Sequence, residues 1–409
     1  MRKKENRLII TDYEDKRISI LFLDRQAYDI EVYEKEKGLL GSIHIAKVKD
    51  LMPNIDAAFI DIEYRGEKIT CFYSLKDNRN PIYADQKKHE SLKPGDEIIV
   101  QIVREAAKTK APIASSKLAF SGVYSVATVG RGRLLFSSKI KDADWKEEAK
   151  KELKLKIGEG ADILLRTNAY GADFVKIEAE AKALEKKLLS LIEHALYRKA
   201  PSLLYEAESA YIHMIKKKGE GFLSEILTDI EEVYLEISEY CKEKNLIAAE
   251  NLRHYRDEML SLSKLYAIES LLSQALAKKV WLKSGAYLVI EQTEALSVID
   301  VNTGKKEGKP SSKGGNARNL IRETNFEAMI EIARQLRMRN LSGIIIIDFI
   351  DMSAREDKEE LLYRFNQELK KDPVKASALG FTSLHLMEMT RQKIKKPLCE
   401  HFRQKKENE

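Results

Sequence analysis

YLVIEQTEALSVIDVNTG, residues 287–304, and GIIIIDFIDM, residues 343–352, decide how this chain is read. In SVIDVN the period-two alternation of a strand puts Val298, Asp300 and Asn302 on one face and Ile299 and Val301 on the other, so an acid and an amide point the same way. In GIIIIDFIDM, Asp348 interrupts an apolar run that reads as a strand buried on both faces inside a layered α/β domain. An ionised carboxylate there is costly unless something pairs with it. A hard divalent cation such as Mg2+ takes one or two carboxylates and keeps several waters. It polarises a phosphoryl oxygen and lowers the pKa of a bound water, the two requirements of phosphodiester hydrolysis. The competing reading is that Asp300 caps a turn and Asp348 meets an arginine; spacing alone leaves both open.

Between these strands, Thr324-Asn325-Phe326-Glu327 has the form of a capping box and predicts a helix start. Phe326, Met329, Ile330, Ala333 and Leu336 then follow helical spacing and are expected to face the sheet. Arg334 and Arg337 fall on a more polar side, with Arg339 just beyond; guanidinium groups near a metal site suit bidentate phosphate contact, and a solvated basic face is the alternative. The Gly304–Asn316 loop, GKKEGKPSSKGGN, directly follows the Asp300 strand. It reads as a lid over a substrate phosphate or as a solvated connection.

Towards the N-terminus, LII, ISILFL and YDIEV within Leu8–Val32 alternate as short strands. Strand-like segments continue from Gly41 to Gly122 (SIHIAKV, AAFIDI, KITCFYSL, EIIVQIV), with Gly-, Pro- and Asn-rich turns, and fit a small barrel of the OB-fold kind. Phe59 and Phe72 lie on these strands near Lys47 and Lys49. Aromatics on such a surface stack on bases; the other reading is that both belong to the barrel core. Residues 124–178 alternate strand-like RLLFSS, ADILLRT and DFVKIEA with the helical run WKEEAKKELKLK. Arg166-Thr167, after ADILL, would place a guanidinium and a hydroxyl at a strand end, enough to grip a terminal phosphate. Residues 179–276 read as mostly helical (ALEKKLLSLIEHAL, SEILTDIEEVYLEISEYCKEK, LYAIESLLSQALAKK). Beyond Gly285 the pattern is α/β and closes on a strand near Ser383–Leu386.

Composition bounds the function. The 409 residues are 33% charged and 44% hydrophobic, as in a folded protein of several units. Three scattered cysteines, Cys71, Cys241 and Cys399, offer neither a disulfide framework nor a Cys-x-x-Cys zinc pair, so a reducing, cytoplasmic setting is expected. Seven histidines lack His-Glu-x-x-His spacing, which removes support for a zinc protease. No apolar run is long enough for a signal core or a membrane span. The formal net charge is +6, but residues 391–406 hold seven Lys or Arg against one acid, and Glu407 and Glu409 follow, leaving only +2 for residues 1–390. Nucleic acid would therefore be drawn by placed cations, not by a global field.

VIEQTEALSVIDVNTG, ETNFEAMIEIARQLRMRNLSGIIIIDFIDM and LHLMEMTRQK together closely resemble the catalytic region of the ribonuclease E/G family. GSIHIAKVKDLMPNIDAAFIDI resembles its OB-fold opening and ILLRTNA its 5′-end sensor, so almost the whole chain is covered. The resemblance implies a Mg2+-dependent endoribonuclease, with Mn2+ as a substitute, that cuts single-stranded RNA to 5′-phosphate and 3′-hydroxyl ends in RNA processing and decay. It implies an α+β architecture of several subdomains: an RNase H-like part (1–36 and 215–280), an inserted OB-fold barrel (37–122), a 5′-sensor region (123–214), a DNase I-like α/β domain (281–398) and a basic tail (399–409). Asp300 and Asp348 match the metal-binding carboxylates, and Asn302 the amide supporting the scissile phosphate or the metal's water. Arg166 and Thr167 match the 5′-monophosphate pair, and Phe59 and Phe72 the barrel aromatics.

The sequence departs from the family pattern in places. The Cys-Pro-x-Cys zinc link is absent: only Cys399 stands there, where the family usually has Gly, so neither zinc nor a zinc-linked tetramer is expected, while a homodimer through the DNase I-like domain is compatible with the sequence. The Lys-Gly pair before the sensor reads Lys110-Ala111, and Lys375 replaces a pocket Arg, trading fork geometry for a point charge and weakening the expected 5′-end preference. The Gly304 loop is longer than usual. The rival readings are a non-catalytic RNA-binding or ribosome-associated protein on the same fold, and a single-strand DNA nuclease; Asp300, Asn302 and Asp348 together argue against the first.

Overall fold

A computed structural model describes residues 5–35, 38–87, 89–105, 111–153, 157–219, 221–243, 251–304 and 314–402. The chain is mixed α+β and divides into two units, one made of residues 1–33, 225–234 and 253–409, the other of residues 34–224 and 235–252. In chain order the strands and helices begin with β1 (Asn6–Tyr13), β2 (Lys16–Leu23) and β3 (Gln26–Glu34). The barrel segment holds β4 (Ile43–Met52), β5 (Ala57–Tyr64), β6 (Glu67–Ser74), β7 (Ile82–Tyr83), β8 (Glu97–Arg104) and β9 (Ile113–Ser115). Then come β10 (Ala119–Ser121), β11 (Ser125–Gly130), β12 (Leu134–Phe136), α1 (Ala143–Glu152), β13 (Gly160–Leu165), α2 (Phe174–Ala195), β14 (Ser202–Tyr205) and α3 (Ala210–Lys218). β15 (Glu225–Thr228), α4 (Glu231–Glu243), β16 (Leu252–His254), α5 (Leu262–Leu265) and α6 (Ile268–Leu276) follow. The last part is β17 (Lys279–Trp281), β18 (Tyr287–Gln292), β19 (Leu296–Asn302), α7 (Gly314–Met338), β20 (Gly343–Asp348), α8 (Arg355–Leu369), β21 (Ala376–Phe381), β22 (Met387–Arg391) and α9 (Leu398–Phe402).

In the second unit β4 is long enough to pair twice. Its first half pairs with β8 (Ile43↔Gln101 to Lys47↔Glu97), its second half with β5, and an irregularity between Val48 and Asp50 turns the strand from one partner to the other. With β5–β6, β6–β9 and β9–β8 the sheet closes into a five-stranded barrel, consistent with an OB-like subdomain. Ala58, Ile60, Ile62, Cys71, Tyr73 and Val100 fill its interior. The other sheet of this unit, β10-β11-β13-β12, packs on α2 through Ile163, Leu165, Ile177, Ala181 and Leu188. DFVKIEA, expected to be a strand, is the first turn of α2: Asp173 caps Val175 N at 2.9 Å, and Phe174 and Ile177 bury with helical spacing.

In the first unit β1 pairs antiparallel with β2 and parallel with β15 in a sheet of order β16-β15-β1-β2-β3. The beginning of the expected helix SEILTDIEE is thus a strand: Ile226 to Thr228 are fully or nearly buried beside β1, and the helix starts only at Glu231. The six-stranded sheet, β17-β18-β19-β20-β22-β21, is covered on one face by α7 and α8. Leu288, Ile290, Ile299, Val301, Ile345, Ile347, Met387 and Met389 meet Ala328, Ile332, Ala333, Leu336, Leu361 and Phe365 there. Each such aliphatic side chain removed from water contributes roughly 1.5–3 kcal/mol before entropy is counted. The strand expected at Ser383–Leu386 is the turn between β21 and β22, closed by Thr382 N donating to Leu386 O at 2.8 Å. Among the described residues no helix is long and apolar enough to cross a membrane.

Candidate metal and RNA site

The covered sheet has a second, open face, and it corrects one expectation. β20 is not buried on both sides: Ile345 and Ile347 are fully buried against the helices, while Ile344 is exposed, Ile346 half-buried and Asp348 exposed. Asp348 therefore keeps its hydration, and the cost argued for a carboxylate inside a layered domain does not arise. On β19 the same alternation holds, with Val298, Asp300 and Asn302 on the open side. β19 and β20 run parallel in a register that sets Asp300 directly beside Asp348, one strand spacing or about 4.8 Å apart at Cα. Asn302 Nδ2 donates to Asp300 Oδ2 at 2.6 Å.

Among the described residues, no Lys or Arg forms an ion pair with Asp300 or Asp348, so the arginine partner is not seen, and Asp300 lies within β19 instead of capping a turn. By contrast the next acid, Asp351, is paired with Lys358 at 3.3 Å and His385 at 3.0 Å. Lys358, and then His385, hold the Asp351 carboxyl below its usual range. Among the described residues no group of three or more His, Cys, Asp or Glu could hold a metal. Two neighbouring carboxylates completed by water fit a hard divalent cation such as Mg2+.

Two residues read from the sequence only as part of a helix cap support this edge. Asn325 is fully buried; its Nδ2 donates to Ile350 O at 2.8 Å and Ile350 N donates to its Oδ1 at 3.1 Å. This clasp fixes the chain leaving Asp348. Glu327 accepts from Lys283 N at 2.8 Å and Ser284 N at 3.3 Å, tying the β17–β18 turn to α7. At the other end Gly304 has φ +69, and a Cβ there would overlap the carbonyl of Gly285, so the chain leaving Asn302 passes close over that turn.

The capping-box expectation fails. α7 begins at Gly314, Thr324 is mid-helix with Oγ1 donating to Leu320 O at 2.8 Å, and Glu327 bonds to the hairpin instead of its own helix. Ile330 is 55% exposed; Ala328 and Ile332 take the sheet-facing positions, with Met329, Ala333 and Leu336 as expected. The arginines do not form a polar face. Arg337 is buried with its guanidinium 4.1 Å from the Tyr28 ring centroid, and Arg339 is buried with Nε donating to Gln335 Oε1 at 2.7 Å. Burial holds Arg339 down to about 10. Arg334 is half-buried and pairs with Glu331 at 3.4 Å. The far end of α7 packs beneath the N-terminal sheet, which no local pattern in the helix announces.

In the second unit Phe59 and Phe72 are register partners, half-buried, with ring centroids 6.2 Å apart and edge to face. They lie outside the barrel interior, beside Asp61, which accepts from Thr70 at 2.7 Å and Lys68 at 2.8 Å. Arg166 directly follows β13; its Nη1 donates to Gly122 O, and Thr167 Oγ1, exposed, lies 3.3 Å from Ser137 Oγ. Burial lowers the Arg166 pKa, opposed by the Glu180 carboxylate. Glu180 in turn accepts from Val123 N, Tyr124 N and Ser125 N at 2.7–2.8 Å. Lys375 is exposed ahead of β21 and belongs to the first unit. Lys110 and all but the ends of the Gly304–Asn316 loop lie outside the described residues, as does most of the basic tail.

A sequence model of the ribonuclease E/G family matches residues 119–394, two thirds of the chain. The chain belongs to the ribonuclease E/G family. It is accordingly an endoribonuclease of the ribonuclease E/G type. Ribonuclease G of Escherichia coli K12 is 30% identical over 372 residues, covering 89% of this chain and 75% of the relative. Ribonuclease E of Nostoc sp. is 30% identical over 399 residues, covering 95% of this chain and 56% of the relative. A putative ribonuclease E of Buchnera aphidicola is 31% identical over 402 residues, covering 96% of both.

Proposed function

We propose that this ribonuclease E/G family member cleaves single-stranded RNA with a divalent cation, Mg2+ or Mn2+, held by Asp300 and Asp348, leaving 5′-phosphate and 3′-hydroxyl ends. The observation that carries the reading is the side-by-side register of Asp300 and Asp348, with Asn302 bonded to Asp300. When bound, the cation supplies a Lewis acid for the phosphoryl oxygen and a water of lowered pKa. Asp300 and Asp348 orient it; Asn302 fixes one Asp300 oxygen and leaves the other for the ion. The Asn325 clasp keeps Asp348 at the level of Asp300.

In this reading 281–398 is a DNase I-like domain, 1–36 with 215–280 an RNase H-like part, 37–122 the RNA-binding barrel and 123–214 the 5′-sensor region. Phe59 and Phe72 stack on bases of the RNA, and Lys110 is assigned to RNA binding from the sequence alone. Arg166 and Thr167 recognise a 5′-monophosphate. Arg337 and Arg339 act inside the fold and not as phosphate contacts. The enzyme works in the cytoplasm in RNA processing and decay, and a homodimer formed through the DNase I-like domain would show as twice the chain mass in light scattering.

The test is cleavage of one single-stranded RNA, prepared with a 5′-monophosphate or a 5′-hydroxyl, in Mg2+ or EDTA, beside Asp300→Asn. Cleavage by the wild type alone, and only with the cation, supports the reading. Activity in EDTA, or a variant as fast as wild type, defeats the site assignment; equal rates on the two RNAs defeat only the sensor.

A further inference from the structure

The open face of the six-stranded sheet carries a second cluster beside the carboxylates. The register across β17, β18 and β19 places Trp281 against Tyr287 and Tyr287 against Asn302. The next row reads Lys279, Val289, Asp300, Asp348. Val280, between Lys279 and Trp281, packs towards the helices; its two neighbours therefore point to the open side. Trp281 is 64% exposed, and among the described residues the helices that cover this sheet, α7 and α8, lie on its other face. Its ring lies 5.2 Å from that of Tyr287, tilted by 60°, and Lys279 Nζ sits 4.0 Å from the Trp281 centroid and 3.6 Å from the Tyr287 centroid. Among the described residues no carboxylate pairs with Lys279. The core gains nothing from an indole in this place.

We propose that Trp281 and Tyr287, with Lys279, form a stacking subsite for the base of a nucleotide next to the scissile phosphate; this rests on the metal site proposed above. Trp281 lies two strand spacings, roughly 10 Å, from Asn302, close enough for the base of a nucleotide near the scissile phosphate. Indole and phenol rings accept any base, because each has a π-face, and Arg or Lys nearby adds cation–π and phosphate attraction. Lys279 holds the two rings and sets one positive charge in the Asp300 row, where the phosphate of the stacked nucleotide meets it. The subsite orients the strand and discriminates stacked from unstacked nucleotides without reading their sequence.

The chain has two tryptophans, so Trp145→Phe leaves Trp281 as the sole indole reporter. In that background, oligouridylate titrated in EDTA is expected to quench the emission saturably, with Tyr287→Ala and Lys279→Ala weakening binding about fivefold. In Mg2+, Trp281→Ala raises KM about tenfold with kcat nearly unchanged, and Trp281→Phe recovers most of the loss. An RNA with one abasic ribose beside the cleavage site slows wild type by a similar factor and Trp281→Ala not at all. Unquenched emission together with a wild-type KM for Trp281→Ala overturns the subsite. Saturable quenching by a protein that cuts under no condition leaves the subsite standing and overturns the metal site instead.

Discussion

Asn325 and Ile350 are joined twice, each amide serving the other as donor and acceptor, at 2.8 and 3.1 Å. Because Asn325 is fully buried, Asn325→Ala strands two backbone groups of the segment that follows Asp348. The expected cost is about 1–3 kcal/mol of stability, with a matching fall in the urea midpoint. Asn325→Asp keeps the acceptor, loses the donor and buries a charge; it should lower kcat more than Asn325→Ala does at equal folded fraction.

Asp300→Asn and Asp348→Asn test the metal site without testing the fold. Asp348 is exposed and Asp300 half-exposed, so thermal midpoints should move by no more than a degree or two. Cleavage should fall by roughly a hundredfold or more, in keeping with several kcal/mol supplied by a bound cation. Calorimetric Mg2+ titration should lose its heat in both variants.

Phe59→Ala and Phe72→Ala should each raise KM for single-stranded RNA about tenfold and leave kcat nearly constant, since stacking is worth roughly 1–3 kcal/mol per base. Their rings touch, so the double variant should lose less than the two single losses combined. A collapse of the barrel in either single variant, seen by circular dichroism, would place these rings in the core after all.

Gly122→Ala would thrust a Cβ into the Glu180 carboxylate that organises Val123, Tyr124 and Ser125, and would disturb the carbonyl that Arg166 holds. The ratio of rates on 5′-monophosphate and 5′-hydroxyl RNA should fall towards one, while cleavage of the 5′-hydroxyl substrate stays close to wild type. An unchanged ratio would separate Arg166 from end recognition.

His44 gives the barrel a pH dependence. It is fully buried, with Nδ1 3.1 Å from Glu63 O and Nε2 2.8 Å from Ser42 Oγ. Burial pushes its pKa down from 6.5 to about 4, and the Glu63 carbonyl only partly opposes this. The folded state thus binds the proton less well than the unfolded chain. The contribution is fully present above pH 6.5 and is lost as pH falls towards 4, by roughly 2–3 kcal/mol at pH 4.5. Urea unfolding of wild type and His44→Gln at pH 7 and pH 4.5 should show a smaller pH difference in the variant.

The alternation in SVIDVN set Asp300 and Asn302 on one face, and the fold keeps them there. The same rule was hidden in GIIIID, because four isoleucines look alike whether buried or exposed: Ile345 and Ile347 pack on helices while Ile344 stands in solvent. Pattern reading also failed where the deciding partner lies far along the chain. Thr324 and Glu327 form a plausible helix start until the hairpin at Lys283 claims Glu327. Arg337 looks like a surface cation until Tyr28, some three hundred residues earlier, covers it. Trp281 and Tyr287 were accessible to the alternation argument, had it been carried from β19 across the hairpin to β18 and β17. Asn325 was not, since nothing local tells a buried amide that clasps a distant backbone from an exposed one.

A sheet that, among the described residues, is covered on one side only divides its residues between two kinds of selection. Along β18, β19 and β20, neighbours in sequence answer to different constraints, one to packing beneath α7 and α8, the next to whatever crosses the open face. A saturation library over these strands, sorted once for soluble expression and once for RNA cleavage, should yield two interleaved tolerance profiles that trade places at every residue. The enzyme's surface chemistry could then be rewritten at Tyr287, Val289, Val298 or Ile346 with little charge to the fold, which makes this face a natural starting point for changing what the protein cuts.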